Sequence, residues 1–199
     1  MGTMRGGPDG NERLTATAGA VLFLLLAAEG VTILSIGQLL SPHVFIGMLL
    51  IPPVALKLGS TGWRFARYYR GRREYREKGP PLLPLRLLAP VVVVSTVAVF
   101  ATGIALLVRG PGQGFLLGLH KASFVVWLVA TGIHVLAYLS RLPRLAAADW
   151  RPRAPRLDGA FARRTLLAAA VVLGAILAVA TIRYAGPWVH WAGNARRDG

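Results

Sequence analysis

Long apolar runs alternate with short charged connectors along the chain, and the lengths of the runs decide what they build. A helix that crosses a bilayer needs about 20 mostly apolar residues, and a charge-free stretch of about 18 already qualifies. Five runs meet that measure. The first extends from Leu14 to Gln38 and is interrupted once, by Glu29. The second opens at Ser41, Pro42 and His43 and continues to Trp63, with Lys57 near its end. The third, Leu87 to Val108, holds no charge; the fourth covers Phe115 to Leu139; the fifth, rich in Ala, Val and Leu, covers Thr165 to Ile182. Strands of a membrane barrel would be about ten residues long and would alternate in polarity, which these runs do not. Backbone groups in lipid must be bonded within their own segment. The expectation is therefore an all-α integral membrane helical bundle of five transmembrane helices in a single domain, a four-helix core plus one. The first run follows Arg13 as a signal peptide would follow its basic residues. Its apolar core is long, however, and leads almost directly into the second run without a small-residue cleavage site, so it is expected to be retained.

The connectors orient the bundle. Lys and Arg accumulate on the cytoplasmic side of membrane proteins. One side receives Arg5 and Arg13, nine basic residues from Lys57 to Arg86, and seven from Arg141 to Arg164. The other receives Arg109, Lys121, Arg183, Arg196 and Arg197. The N-terminus is thus expected in the cytoplasm and the C-terminus outside, in the cell membrane. The net charge of +15 reads as a topology signal rather than a nucleic-acid footprint; the basic run from Arg64 to Arg73 is expected against anionic headgroups of the lipid bilayer. Gly79, Pro80, Pro81 and Pro84 interrupt the chain before the third run, and Pro152 and Pro155 before the fifth. Trp188 and Trp191 have the position of an outer aromatic belt. Cysteine is absent, which excludes disulfides, iron–sulfur clusters and covalently attached haem.

Polar residues within the runs carry the candidate chemistry, because they are costly in lipid. They are Glu29, His43, Lys57, His120 and His134. His120 and His134 are 14 residues apart on the fourth run. At about 100° per residue they share one face, separated by about 21 Å along the axis. His43 opens the second run, which crosses in the same direction as the fourth, so His43 and His120 fall at comparable depth. Two imidazoles at one level in a helical core can hold a flat haem through its iron without covalent links. Gly47, Gly118 and Gly132, close to the histidines, would let a macrocycle approach the backbone. Glu29, placed near the bilayer midplane, reads as a proton relay, as an acceptor for a ligand imidazole N–H, or as a neutral carboxyl bonded to a neighbouring span. Lys57 reads as snorkelling to the cytoplasmic interface. Arg109 and Lys121 read as partners for haem propionates or as boundary residues. His190 reads as an interfacial side chain, and Pro52 and Pro53 as a kink.

The pair His120 and His134 on one helix, His43 on a parallel helix, and the stretch from His43 to Leu58 together resemble membrane b-type cytochromes. The resemblance is to the bacterial cytochrome b561-like and ferric-reductase-like transmembrane electron carriers, and to small actinobacterial-style members of that group. It covers the second to fourth runs. It implies haem b, one group held by His43 and His120, with His134 available to a second. It also implies electron exchange with a quinone or an extracytoplasmic redox protein, so that the chain would be at most the membrane component of an oxidoreductase system. A two-haem pattern would place a histidine 14 residues after His43, where this chain has Lys57. A different class of function, a non-redox membrane scaffold or a small proton or metal transporter, uses the same polar residues as a path.

Overall fold

The computed structural model describes residues 7–79, 83–140, 142–147 and 158–195. The described residues are helical, with no strand among them. Eight helices follow in order: α1 (Gly7–Leu34), α2 (Ile36–Tyr69), α3 (Arg73–Glu77), α4 (Leu83–Arg109), α5 (Gly114–Tyr138), α6 (Leu142–Ala146), α7 (Ala160–Thr181) and, after a 3₁₀ turn at Ile182–Ala185, α8 (Gly186–Ala195). Five of the helical segments are long and apolar enough to cross a membrane: α1, α2, α4, α5, and the continuous stretch from α7 through α8. Their outer surfaces carry Leu24, Val94, Phe115, Leu136 and Val179, all well exposed. Lipid, rather than water, is the solvent that such a surface suits.

The chain turns between the first two spans at Ser35, earlier than the end of the first apolar run at Gln38. Within α2 the backbone leaves helical geometry at Leu39, three residues before Pro42. The main helix thus starts near Leu40, with Pro42 in its first turn, where a missing N–H costs no helical bond. Pro52 and Pro53 lie inside α2 without a non-helical dihedral, so the distortion falls at Leu39 and not at the paired prolines. Pro84 likewise sits in the first turn of α4 rather than ahead of it. Pro80, Pro81, Pro152 and Pro155 fall outside the described residues.

Helix α1 begins seven residues before its apolar run, at Gly7. Its polar opening is tied down. Asp9 and Glu12 both pair with Lys78, just past α3. Partial burial of Lys78 works against its charge, but the two carboxylates outweigh it and hold the ammonium above its ordinary range. One turn further, Asn11 donates to the Ser60 carbonyl (3.0 Å), Thr15 shares a hydrogen bond with the Ser60 hydroxyl (2.9 Å), and Lys57 donates to the Thr15 carbonyl (3.1 Å). The expected snorkelling of Lys57 is therefore replaced by an inward bond to α1.

Helices α1, α2 and α7 pack into one unit and α4 and α5 into another. The face of α7 against α2 is a stripe of small residues, Ala170, Gly174 and Ala178, each buried and four apart, which lets backbones approach. At its centre, a Cβ on Gly174 would collide with the Leu49 carbonyl and meet Leu49 Cα at 3.3 Å. Leu49 is four residues before Pro53, which has no N–H to give it. The carbonyl freed by the proline thus faces the one residue type that fits beside it, where a weak Cα–H···O contact is available. Between the two units α2 meets α4 only sparsely. A second tie runs from Trp188 of α8, whose indole N–H donates to the Leu106 carbonyl of α4 at 3.0 Å. Trp188 is only 8% exposed, so it joins helices instead of forming an outer belt; Trp191 packs edge-on against it and is exposed.

Candidate functional site

The two units enclose a cavity of about 730 Å³, counting its open mouth. Four helices line it: α1 through Glu29, α2 through His43 and Gly47, α4 through Phe100 and Gly103, and α5 through His120, Phe124 and Trp127, with Leu, Ile, Val and Met between them. Its character is that of a ligand site, apolar with a few polar groups. His43 lies seven residues after the start of α2 and His120 six after the start of α5, so both histidines reach it from the same end of the bundle.

Each ring is anchored through Nδ1. His43 Nδ1 is 2.9 Å from Glu29 Oε1 and 3.1 Å from Thr32 Oγ1. The Thr32 hydroxyl donates to the Glu29 carbonyl at 2.6 Å, which leaves it a lone pair, not a proton, for the histidine. With a carboxylate and a hydroxyl lone pair both facing it, Nδ1 carries the proton. His120 is arranged in the same way. Thr102 Oγ1 donates to the Ala98 carbonyl at 2.7 Å and accepts from His120 Nδ1 at 2.9 Å. In both rings the proton is thereby assigned to Nδ1. Nε2 is left as a bare lone pair with no partner among the described residues. That is the tautomer a metal-binding imidazole presents, its other nitrogen held by an oxygen acceptor.

The backbone is shaped to these rings. A Cβ on Gly103 would lie 3.2 Å from His120 Cε1, and one on Gly47 3.6 Å from Glu29 Oε1. Gly103 is therefore the glycine that admits the α5 histidine against α4. Gly118 and Gly132, the glycines beside the histidines in sequence, have nothing within 4 Å.

Glu29 is displaced from its expected midplane position. It lies five residues from the end of α1, at the level of His43, because the turn at Ser35 brings the end of α1 beside the beginning of α2. Its side chain is 12% exposed. His134 does not line this cavity. It sits lower on α5 beside Tyr138, ring centroids 5.1 Å apart, and its Nδ1 and the Thr131 hydroxyl are both buried without a hydrogen-bond partner among the described residues. His190, Arg109 and Lys121 are exposed.

Sequence reasoning missed Thr32, Thr102 and Gly103. The only signal for the last two was a Thr-Gly pair in the otherwise featureless third run, as far before the α4–α5 turn as His120 is after it. The donor set, the glycine relief beside His120 and the apolar walls fit a b-type haem. No protein-family model, curated protein or solved structure matches the chain.

Proposed function

We propose that the protein is a transmembrane electron carrier that binds one haem b between its two helical units, with His43 and His120 as the residues that would hold its iron. The observation that carries the reading is the pair of histidines on one cavity, each with Nδ1 tied to an oxygen and Nε2 without a partner among the described residues. Bound haem would supply one-electron chemistry between its ferric and ferrous states. The chain's own residues do the rest. Glu29, Thr32 and Thr102 hold the two rings and fix their tautomers. Phe100, Phe124 and Trp127 keep water from the cavity and lower its dielectric. Arg109 and Lys121, exposed at the same end of the bundle, are available to propionates. Electrons would pass to or from a quinone or an extracytoplasmic redox protein. We place the chain in the cell membrane, N-terminus in the cytoplasm, so that the haem lies near the outer face.

Purified protein should be red, with a Soret band and the spectrum of a six-coordinate low-spin haem. His43→Ala and His120→Ala should each lose the haem or turn it high-spin. A colourless wild-type protein from haem-replete cells, or full low-spin haem in both variants, would sink the assignment.

A further inference from the structure

The two imidazoles are held by unequal acceptors. His43 gives its Nδ1 proton to a carboxylate, Glu29, at 2.9 Å, with the Thr32 hydroxyl beside it. His120 has no carboxylate beside it: its proton goes to the Thr102 hydroxyl, with the Val99 backbone carbonyl as a second neutral acceptor. Glu29 is also the one acidic residue in the apolar part of any span, and its side chain is almost enclosed. A carboxylate in lipid is costly, so one placed here calls for a role.

From this asymmetry we infer that Glu29 is a positioning residue that sets the redox potential of the site, holding the haem low by giving His43 imidazolate character. The inference rests on the haem reading above. A carboxylate that accepts the Nδ1 proton increases the basicity of Nε2, and a more basic ligand stabilises ferric over ferrous iron. The full negative charge adds to this through space. In a low-dielectric surround it favours the state with the extra positive charge, and water does little to screen it. Thr102 offers neither effect to His120. One ligand therefore tunes and the other only holds. The same carboxylate fixes the His43 ring against α2 above Gly47, where a Cβ would sit 3.6 Å from Glu29 Oε1.

Glu29→Gln keeps an oxygen acceptor of the same shape and removes the charge; Glu29→Asp keeps the charge and shortens the reach. Spectroelectrochemical titration of the detergent-solubilised protein reads the result. Glu29→Gln should retain low-spin haem and shift the equilibrium toward the ferrous state by about tenfold, which is 59 mV for one electron. Glu29→Asp should stay nearer the wild type, and Thr102→Val should move the potential less than Glu29→Gln. The ferric EPR spectrum should show a narrower g spread in the wild type than in Glu29→Gln. This comparison needs only enough residual haem to record a spectrum. Haem present with an unchanged potential in Glu29→Gln, or equal shifts in the Gln and Asp variants, would overturn the inference while leaving the haem site intact. If Glu29→Gln loads too little haem to titrate, a wild-type g spread like that of unperturbed bis-imidazole haem overturns it. Failure of the wild type to bind haem would instead overturn the proposed function.

Discussion

Residues whose chemistry depends on a neighbour across a turn were the hardest to read from the chain. Depth along the runs was enough to bring His43 and His120 to one level, because rise per residue is fixed in a helix. The Glu29–His43 pair was not legible in the same way. It depends on the chain turning at Ser35, and a shift of the turn to Gln38, where the apolar run ends, would carry Glu29 about one turn away. Thr32 and Thr102 were hidden for another reason. Hydroxyls in spans commonly donate to the carbonyl a turn earlier, as Thr96 and Thr181 do here, and nothing in the sequence says which of them also receives a proton from a histidine. His134 supplies a prediction at this scale. It stands apart from the cavity, with Lys57 where a second histidine would be needed. His134→Ala is therefore expected to leave the haem content per chain and the low-spin spectrum unchanged. A pyridine haemochrome assay checks this, and loss of half the haem would locate a second site on the inner half of α5.

Elements were far more legible. Five apolar runs became five helical segments of spanning length, because in lipid length and uniform apolarity leave the backbone no other solution. Their ends were less so. Helix α1 gained two polar turns from its pairing with Lys78 and Ser60, contacts that no local pattern announces. The fit of α7 on α2 also escaped the sequence, since Gly174 looks like any glycine in an apolar run until the Leu49 carbonyl is seen against it. Gly174→Ala should push the two helices apart. Overpacking of this kind costs about 1–3 kcal/mol, so the variant should melt at a lower temperature in detergent. Gly62→Ala, where nothing lies within 4 Å, is the control and should melt no lower than the wild type. Equal melting of Gly174→Ala and wild type would show that α7 can retreat freely from α2.

For the molecule as a whole, the expected orientation follows from charge. The last turns of α2 and the connector after it are dense in Arg, from Arg64 to Arg76, whereas the α4–α5 connector holds only Arg109 at its edge. A periplasmically active reporter fused after Gly199 should work, and one placed in the connector between α2 and α4 should not. The reverse pattern would invert the protein and put the His43 end at the cytoplasmic face. Either way, His43 and His120 stay at one end of the bundle, since both follow turns on the same side.

The sparse seam between the α1–α2–α7 unit and the α4–α5 hairpin has a consequence for assembly. Each unit satisfies its own backbone and has its own packed interface; the α4–α5 hairpin can form on its own in the bilayer, whereas the α1–α2–α7 unit closes only once α7, which follows α5 in the chain, has been inserted. A flat ligand that enters the seam has to separate surfaces that hardly adhere; it does not have to unwind a helix. Once there, it becomes the broadest surface the halves share, and its binding free energy adds directly to their cohesion. Under the proposed function, maturation and haem insertion would form a single step. Without such a ligand the chain would be a pair of helical units joined by their connectors, by the Trp188 hydrogen bond to Leu106 and by the Arg86 hydrogen bond to Tyr69, and quality control in the membrane would meet it as an open book rather than an unfolded chain.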